Sequence, residues 1–227
     1  MIYSEFEKVI TPARLGRYRT ACGGDTRKAM TLYRKNLKLS QEMFTVVSCF
    51  EVALRNGIDR HYTTIYGNNW LRTAAAPGGF FDNNKTRVTQ GLVNSAVSDL
   101  NHNYTHFKLI AELGFGFWRY MYSRNQYRVA GKTLLRVFPS RPSALAGISY
   151  NSNDVFNILV QINDLRNRIA HHEPICFLPA HSVKDTTYAR QHYNLIIQLF
   201  QWMQIDEAAL LYGIDHINTI CNEIDAL

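Results

Sequence analysis

Arg166, Asn167 and His171 are the residues whose types and spacing could do chemistry together. On an α-helix, Asn167 and His171 are direct neighbours because they lie four positions apart. Arg166 offers a fixed cationic fork that suits phosphate oxygens. The imidazole can shuttle a proton of a 2′-hydroxyl or of a leaving oxygen. With the arginine stabilising the charge of the transition state, such a set can cut RNA without a metal ion.

The pattern has a simpler interpretation as the ordinary end of a helix. Basic residues are common near helix C-termini, where they interact with the last carbonyl groups. The helix dipole also favours an imidazolium in the last turn. Isolated matches to Arg-x-x-x-x-His are therefore mostly surface residues, and the surrounding sequence must distinguish the two interpretations.

Residues 151–172 are predicted to form the helix that carries this candidate site. At 100° per residue, the apolar side chains fall in one stripe that must face the core. The stripe consists of Val155, Ile158, Ile162, Leu165 and Ile169. Ser152 or Asp154 is expected to cap the helix, and Pro174 to end it by disfavouring helical geometry at the residue before it. The polar residues of the site fall on a separate arc.

His172 directly follows the candidate histidine. On the helical wheel it lies toward the apolar stripe, so we interpret it as a structural or orienting residue, with a direct catalytic role as the alternative. A metal site made of His171, His172 and Glu173 is not expected, because adjacent residues on a helix point apart. We predict no metal and no cofactor.

A second polar group lies in an earlier predicted helix. Glu51 and Arg55 are four residues apart in the favourable acid-first order, and Arg55 and Asp59 are also four apart. One interpretation is an ion-paired helix face. The alternative is that Glu51, Arg55 and Asn56 line an RNA cleft, where they bind phosphate or orient the catalytic histidine.

Helical periodicity continues through the rest of the chain. Asp25 is a plausible N-cap, and Ser40 either starts a new helix or lies within a long one that ends near Gly67. Further helices are expected over 84–101, 109–123, 129–138, 188–204 and 207–224, with a loop over 68–84. Since no period-two alternation runs over five or more residues, we predict an all-α fold with one domain over 1–227.

Two further groups of side chains could contact nucleic acid. The aromatic group is expected to be core rather than a base-stacking surface; it consists of Phe115, Phe117, Trp118, Tyr120 and Tyr122. The basic group either tracks phosphates or is a solvated helix face; it consists of Arg119, Arg124, Arg128, Lys132, Arg136 and Arg141.

Composition restricts the class of protein. With 46% hydrophobic and 19% charged residues the chain is neither disordered nor collagen-like. The net charge of +7 is compatible with a polyanionic partner. No apolar run is long enough to span a membrane, the first ten residues lack a signal-peptide pattern, and the four cysteines form no Cys-x-x-Cys pair. We therefore expect a cytoplasmic protein without a membrane partner and without a zinc ribbon.

The segment Leu165–Ile175, which reads LRNRIAHHEPI, resembles the signature of the HEPN superfamily and, more closely, of its Abi-like branch, the bacterial abortive-infection proteins. The core pattern R-N-x-x-x-H is intact. Two positions depart from the family pattern, Lys35 in place of a tryptophan and Gly114 in place of a threonine. Further matching blocks occur in the same order as in the family at 10–15, 22–25, 32–40, 50–56 and 112–118.

This resemblance implies an all-α, HEPN-like helical bundle with additional flanking helices. Many members are metal-independent endoribonucleases of phage defence and toxin–antitoxin systems, and they commonly dimerise around a composite active site. The motif residues here would be Arg166, Asn167 and His171, with RNA cleaved to a 2′,3′-cyclic phosphate. The implied partners are RNA, a second copy of the chain, and an antitoxin or another defence-system subunit.

Two other functions compete with the nuclease. A non-catalytic HEPN scaffold would bind RNA, a nucleotide or a partner protein, although the intact motif favours catalysis. An all-α DNA-binding regulator is the third alternative, and no helix-turn-helix pattern supports it.

Overall fold

The computed structural model describes residues 1–142 and 149–227. Within these residues the secondary structure is helical and contains no β-sheet, only one isolated bridge between Phe177 and Lys184. The prediction of an all-α fold is therefore confirmed. The helices are α1 (Tyr3–Ile10), α2 (Pro12–Ala21), α3 (Thr26–Tyr66), α4 (Trp70–Ala75), α5 (Arg87–Leu100), α6 (His106–Glu112), α7 (Phe115–Tyr120), α8 (Arg124–Val129), α9 (Ser152–Ala170), α10 (Thr187–Trp202), α11 (Glu207–Leu210) and α12 (Ile217–Asp225), with 3₁₀ turns at Asn101–Asn103 and Leu134–Val137.

The longest helix, α3, follows its predicted course. Asp25 caps it, since its Oδ1 accepts hydrogen bonds from the backbone N–H groups of Arg27 (2.9 Å) and Lys28 (3.0 Å). The helix runs without interruption past Ser40 and ends before Gly67, which has φ +88°. Of the two alternatives for Ser40, the single long helix is the one observed.

Several helix boundaries differ from the prediction. Helices α1 and α2 were not predicted, and α4 lies inside the expected loop over 68–84. The helix expected over 129–138 is wrong, because α8 ends at Val129 and only a 3₁₀ turn follows. The helix expected over 207–224 is two helices, α11 and α12. Short helices of this kind carry too few turns to produce a clear periodic signal, and their packing decides them.

The chain folds into two compact units. Unit 1 consists of Met1–Ser48, Asp164–Gln198 and Asp206–Leu227, and unit 2 consists of Cys49–Asn163 and Leu199–Ile205. Helices α3, α9 and α10 therefore each contribute one part to each unit. The prediction of a single domain stays a prediction.

In unit 1, aromatic packing fixes the segment that follows α9. Tyr18 of α2 meets Tyr33 and Phe177 edge-on, at centroid distances of 5.2 and 4.9 Å. The Arg17 guanidinium lies 4.5 Å from the Phe177 ring centroid and donates to the carbonyl oxygen of Leu178 (2.9 Å). Helix α2 therefore anchors the chain beyond the candidate site.

Unit 2 has an aromatic core. It includes Phe50, Tyr62, Trp70, Phe115, Trp118, Tyr122, Phe138 and Phe200, all nearly fully buried. The Trp118 indole N–H donates to the carbonyl oxygen of Leu113 at 2.7 Å, where the chain turns from α6 into α7. Of the aromatic group expected to be core, only Tyr120 is largely exposed, at 44%. The core interpretation is confirmed for the other four.

Among the described residues, no helix combines the length and the apolar character needed to cross a bilayer.

Candidate active site at the end of helix α9

A reciprocal cap starts α9. The Asn151 side-chain oxygen accepts from the backbone N–H groups of Asn153 (2.8 Å) and Asp154 (3.3 Å). The Asp154 carboxylate accepts in return from the Asn151 backbone N–H at 2.8 Å. The cap is therefore Asn151, and the predicted capping by Ser152 or Asp154 is wrong, although Asp154 completes the capping box.

The apolar stripe of α9 is buried as predicted. Its five residues are each at most 9% exposed, and Leu165 is fully buried. In unit 1 this burial fixes the rotation of the helix about its axis, so that Arg166 and Asn167 are half-buried and His171 is exposed. The predicted separation between an apolar face and a polar arc is thus observed around the candidate site.

A Schellman turn ends the helix. The His172 N–H donates to the carbonyl oxygen of Ile169 (2.9 Å), and the Glu173 N–H donates to that of Arg168 (2.8 Å). His172 has φ +56° and so occupies the left-handed position that usually belongs to glycine. Since the chain leaves the helical path here, His172 is exposed. Its predicted place toward the apolar stripe is wrong.

Arg168 holds the turn in this conformation. Its Nη2 donates to the Pro174 carbonyl oxygen at 3.0 Å, and its Nε lies 3.4 Å from the Glu173 carboxylate. Its guanidinium also lies over the Tyr188 ring, 4.7 Å from the centroid. One side chain thus contacts the carboxylate, the carbonyl and the aromatic ring around the turn.

A buried asparagine of α3 binds the backbone of Ile175, the residue that follows Pro174. Asn36 is 3% exposed, and its Oδ1 accepts from the Ile175 backbone N–H at 3.0 Å. Asn36 and Arg168 are positioning residues that the sequence did not single out for this role. The available signal was an asparagine within the apolar face of a helix, where a polar side chain needs a buried partner.

The side chains of the candidate site have no partner among the described residues. In residues 1–142 and 149–227, no side-chain hydrogen bond or ion pair engages Arg166, Asn167 or His171. Within this set, the His171 backbone N–H donates to the Asn167 carbonyl oxygen at 2.9 Å, as the helix requires. A cationic fork, an amide and an imidazole therefore stand on one exposed helix end with their polar atoms available to a ligand.

The second predicted group belongs to unit 2. There Glu51 and Arg55 are half-buried and Asn56 is exposed. The spacing favoured ion pairs from Arg55 to Glu51 and Asp59, yet neither forms in the described part of the chain. Asp59 instead accepts hydrogen bonds from the Trp70 indole (2.8 Å) and His106 (2.7 Å). The interpretation as an ion-paired helix face is therefore wrong.

Arg55 retains a buried donor. Its Nε is buried and has no hydrogen-bond partner among the described residues. An unmade hydrogen bond of this kind costs about 1–3 kcal/mol, more for a charged group. The remaining interpretation, in which Glu51, Arg55 and Asn56 line an RNA cleft, stays a prediction. Arg166, Asn167, His171 and His172 lie together in unit 1.

Cysteine chemistry does not contribute to the candidate site. All four cysteines are free, and burial raises the pKa of the Cys176 thiol to about 12, so this thiol stays protonated at neutral pH. Within residues 1–142 and 149–227, no three histidine, cysteine or acidic side chains come together as a metal site would require.

The arrangement at the end of α9 can bind a phosphate through Arg166 and exchange a proton through His171. No protein-family model, curated protein or solved structure matches this chain.

Proposed function

We propose that the chain is a metal-independent endoribonuclease of the HEPN type, from the Abi-like branch. The observation that carries the proposal is the Arg166–Asn167–His171 set, unbonded within the described residues, at a helix end whose turn Arg168 contacts. Its sequence context, the intact R-N-x-x-x-H pattern, supports the same conclusion. The cellular role would be that of a toxin-like effector in phage defence or in a toxin–antitoxin system, acting in the cytoplasm.

In the proposed reaction, the 2′-oxygen of one ribose attacks the adjacent phosphorus and the bond to the 5′-oxygen breaks. The products are a 2′,3′-cyclic phosphate and a free 5′-hydroxyl. Arg166 stabilises the extra negative charge on the phosphorane, and Asn167 donates a hydrogen bond to a phosphate oxygen. His171 either takes the proton of the 2′-hydroxyl or gives one to the leaving oxygen.

A second copy of the chain would complete this chemistry. One imidazole cannot serve as base and acid in the same step, because it carries only one proton for exchange. A homodimer with a composite site would supply two copies of His171, one for each role. An antitoxin or another defence subunit is the further partner that such an effector would need.

A cleavage assay on a fluorescent RNA in the presence of EDTA tests the proposal. The unmodified chain should cut the RNA and leave cyclic-phosphate ends, whereas His171→Ala should lose cleavage while its circular dichroism spectrum stays unchanged. His181→Ala is the matched control, since His181 is an exposed histidine of the same unit. Cleavage by His171→Ala at the rate of the control would overturn the proposal.

One observation favours the non-catalytic alternative, an RNA-binding scaffold. Among the described residues no hydrogen bond orients the His171 ring, whereas the imidazole of a general base is usually held by a third group. In that case Arg166→Ala would weaken RNA binding and no variant would cleave RNA.

A further inference from the structure

Unit 2 contains a basic cavity that the proposed active site does not use. Its volume is about 280 Å³, and Lys85, Asn125, Arg128 and Val129 line it. Lys85 lies just before α5, and the other three residues belong to α8. The cavity therefore places two cations and one amide around one space, with no carboxylate among the lining residues.

The two cations have no ion-pair partner among the residues that the structure describes. In the described part of the chain, neither Lys85 nor Arg128 forms a side-chain hydrogen bond or an ion pair. The nearest carboxylate in sequence, Asp82, is already engaged by the Gly78 N–H (2.8 Å) and the Gln90 amide (3.1 Å). Two unneutralised positive charges at one cavity attract an anion.

The wall that carries Lys85 is held by a hydrogen-bonded loop. The Asn83 side-chain oxygen accepts from the Lys85 backbone N–H at 3.0 Å, and its amide donates to the Thr86 hydroxyl at 2.6 Å. Thr86 is fully buried, and its hydroxyl donates to the Phe81 carbonyl oxygen at 2.9 Å. The backbone at Lys85 is thus fixed before any ligand arrives.

A buried contact ties the opposite wall, α8, to α5. Gln126 lies between Asn125 and Arg128 and is 2% exposed. Its amide donates to the hydroxyl of Thr89, which is 3% exposed, at 2.9 Å, and its oxygen accepts from Ser123. Because both partners are buried, α8 is held in register against the helix that follows Lys85. The backbone on both sides of the cavity is therefore held in place, while the Lys85, Asn125 and Arg128 side chains are exposed.

We propose that this cavity binds a phosphodiester group of an RNA strand. Lys85 and Arg128 would neutralise the phosphate and Asn125 would donate a hydrogen bond to the phosphate or the ribose. The volume is just below that of pockets for drug-sized ligands, about 300–1,000 Å³, which suits one nucleotide of a longer chain. Arg87 and Arg124, which are close to the lining residues in sequence, are also exposed. That the phosphate belongs to RNA rests on the proposed function.

Binding of a fluorescent single-stranded RNA to the full chain, followed by anisotropy over a series of salt concentrations, tests this site. The double variant Lys85→Ala/Arg128→Ala should bind about tenfold more weakly or worse. The slope of log K against log salt should also fall by about 1 for each cation removed. All proteins carry His171→Ala, so that the RNA stays intact during the titration.

Lys8→Ala/Lys108→Ala is the matched control, because it removes two exposed lysines and the same charge from outside the cavity. It should bind within about twofold of its parent, as is usual for exposed charges that make no contact. Equal affinity and equal slope for the two double variants would overturn the proposal, and so would an absence of RNA binding by the parent. Cleavage is not measured here, so failure of the nuclease proposal would show separately in the assay at His171.

A competition with inorganic phosphate distinguishes the source of the anion. If the ligand is RNA, millimolar phosphate should displace little of it, because the strand makes further contacts outside the cavity. Full displacement by phosphate at matched ionic strength would assign the cavity to a free phosphate and overturn its assignment to RNA.

Discussion

The chain carries two Arg-Asn…His patterns, Arg166 to His171 at the end of α9 and Arg55 to His61 in the last third of α3. At the end of α9, the His171 side chain is exposed and unbonded among the described residues. In α3, His61 is half-buried and its Nε2 lies 2.8 Å from the Thr133 hydroxyl. Nearly the same residues, at nearly the same spacing, produce one free imidazole and one bonded imidazole.

Position within the helix explains this difference. Buried Ile58 lies three residues before His61, and the buried Tyr62 ring that follows it has its centroid 5.1 Å from that of the imidazole. His171 follows exposed Ala170, at the point where the helix ends and the chain turns away. A sequence pattern thus becomes a candidate site only where the helix exposes it.

The largest contrast should appear in RNA cleavage. His171→Ala should slow cleavage by about 10²–10⁴-fold, the usual contribution of a general acid or base. His61→Ala should leave the cleavage rate near that of the unmodified chain, because its ring is already bonded to Thr133. Initial rates with a quenched fluorescent RNA measure both. A larger loss in His61→Ala than in His171→Ala would reverse the assignment of the two patterns.

The second contrast concerns Asn36 and Asn56, two asparagines of α3. Asn36→Ala leaves the buried N–H of Ile175 without its acceptor, so we expect a loss of about 1–3 kcal/mol in the free energy of unfolding. Asn56 is exposed, and Asn56→Ala should change that free energy by less than about 0.5 kcal/mol. Urea denaturation provides both values. Equal effects would show that Asn36 does not hold the turn.

A third, smaller effect is expected at His172. Because His172 has φ +56°, His172→Gly should relieve strain and stabilise the fold by about 1 kcal/mol. His181→Gly is the control, since His181 is exposed and is not among the residues with positive φ. The melting temperature of each variant measures the effect. No gain for His172→Gly over the control would contradict the left-handed turn.

The smallest expected effect is a pH dependence of the unfolding free energy, to which His61 in α3 contributes. Burial, assisted by Arg136, lowers the pKa of His61, so the unfolded chain binds a proton at this site more readily than the folded chain. The stability that His61 contributes is complete above its ordinary pKa of about 6.5 and is lost as pH falls through the lower, folded value. His61→Gln should therefore flatten the decline of the unfolding free energy between about pH 7 and pH 5.

His192 supplies the comparison for this measurement. Burial also lowers its pKa, so it contributes a decline of the same sign, and His61→Gln should leave that part in place. A decline that is as steep in His61→Gln as in the unmodified chain, measured by urea denaturation at several pH values, would show that His61 does not contribute to it.

Sequence periodicity predicted the elements that are long and locally determined. The apolar stripe of α9 and the Asp25 cap of α3 depend on residues within a few positions of one another, so they are visible in the sequence. The end of α9 was also foreseen from Pro174. What the sequence could not specify was that His172 would adopt a left-handed conformation, because a non-glycine residue does so only when its surroundings hold it there.

Contacts between residues far apart in the chain could not be predicted from the sequence. Asn36 and Ile175 lie 139 residues apart, and no periodic pattern connects them. The same holds for the hydrogen bond between Gln126 of α8 and Thr89 of α5, which are 37 residues apart. In both cases burial of a polar side chain specifies the partner, and burial follows from tertiary packing.

The contacts that Arg168 makes with the chain after α9 lower the entropy cost of binding a ligand at this helix end. Since the backbone around His171 is already held in a defined turn, a ligand there would have to freeze only the rotamers of the side chains it touches. Freezing a flexible side chain costs about 0.5–1.5 kcal/mol, whereas ordering a loose loop would add the backbone entropy of each of its residues. A ligand at this helix end would therefore not lose affinity to the ordering of the backbone.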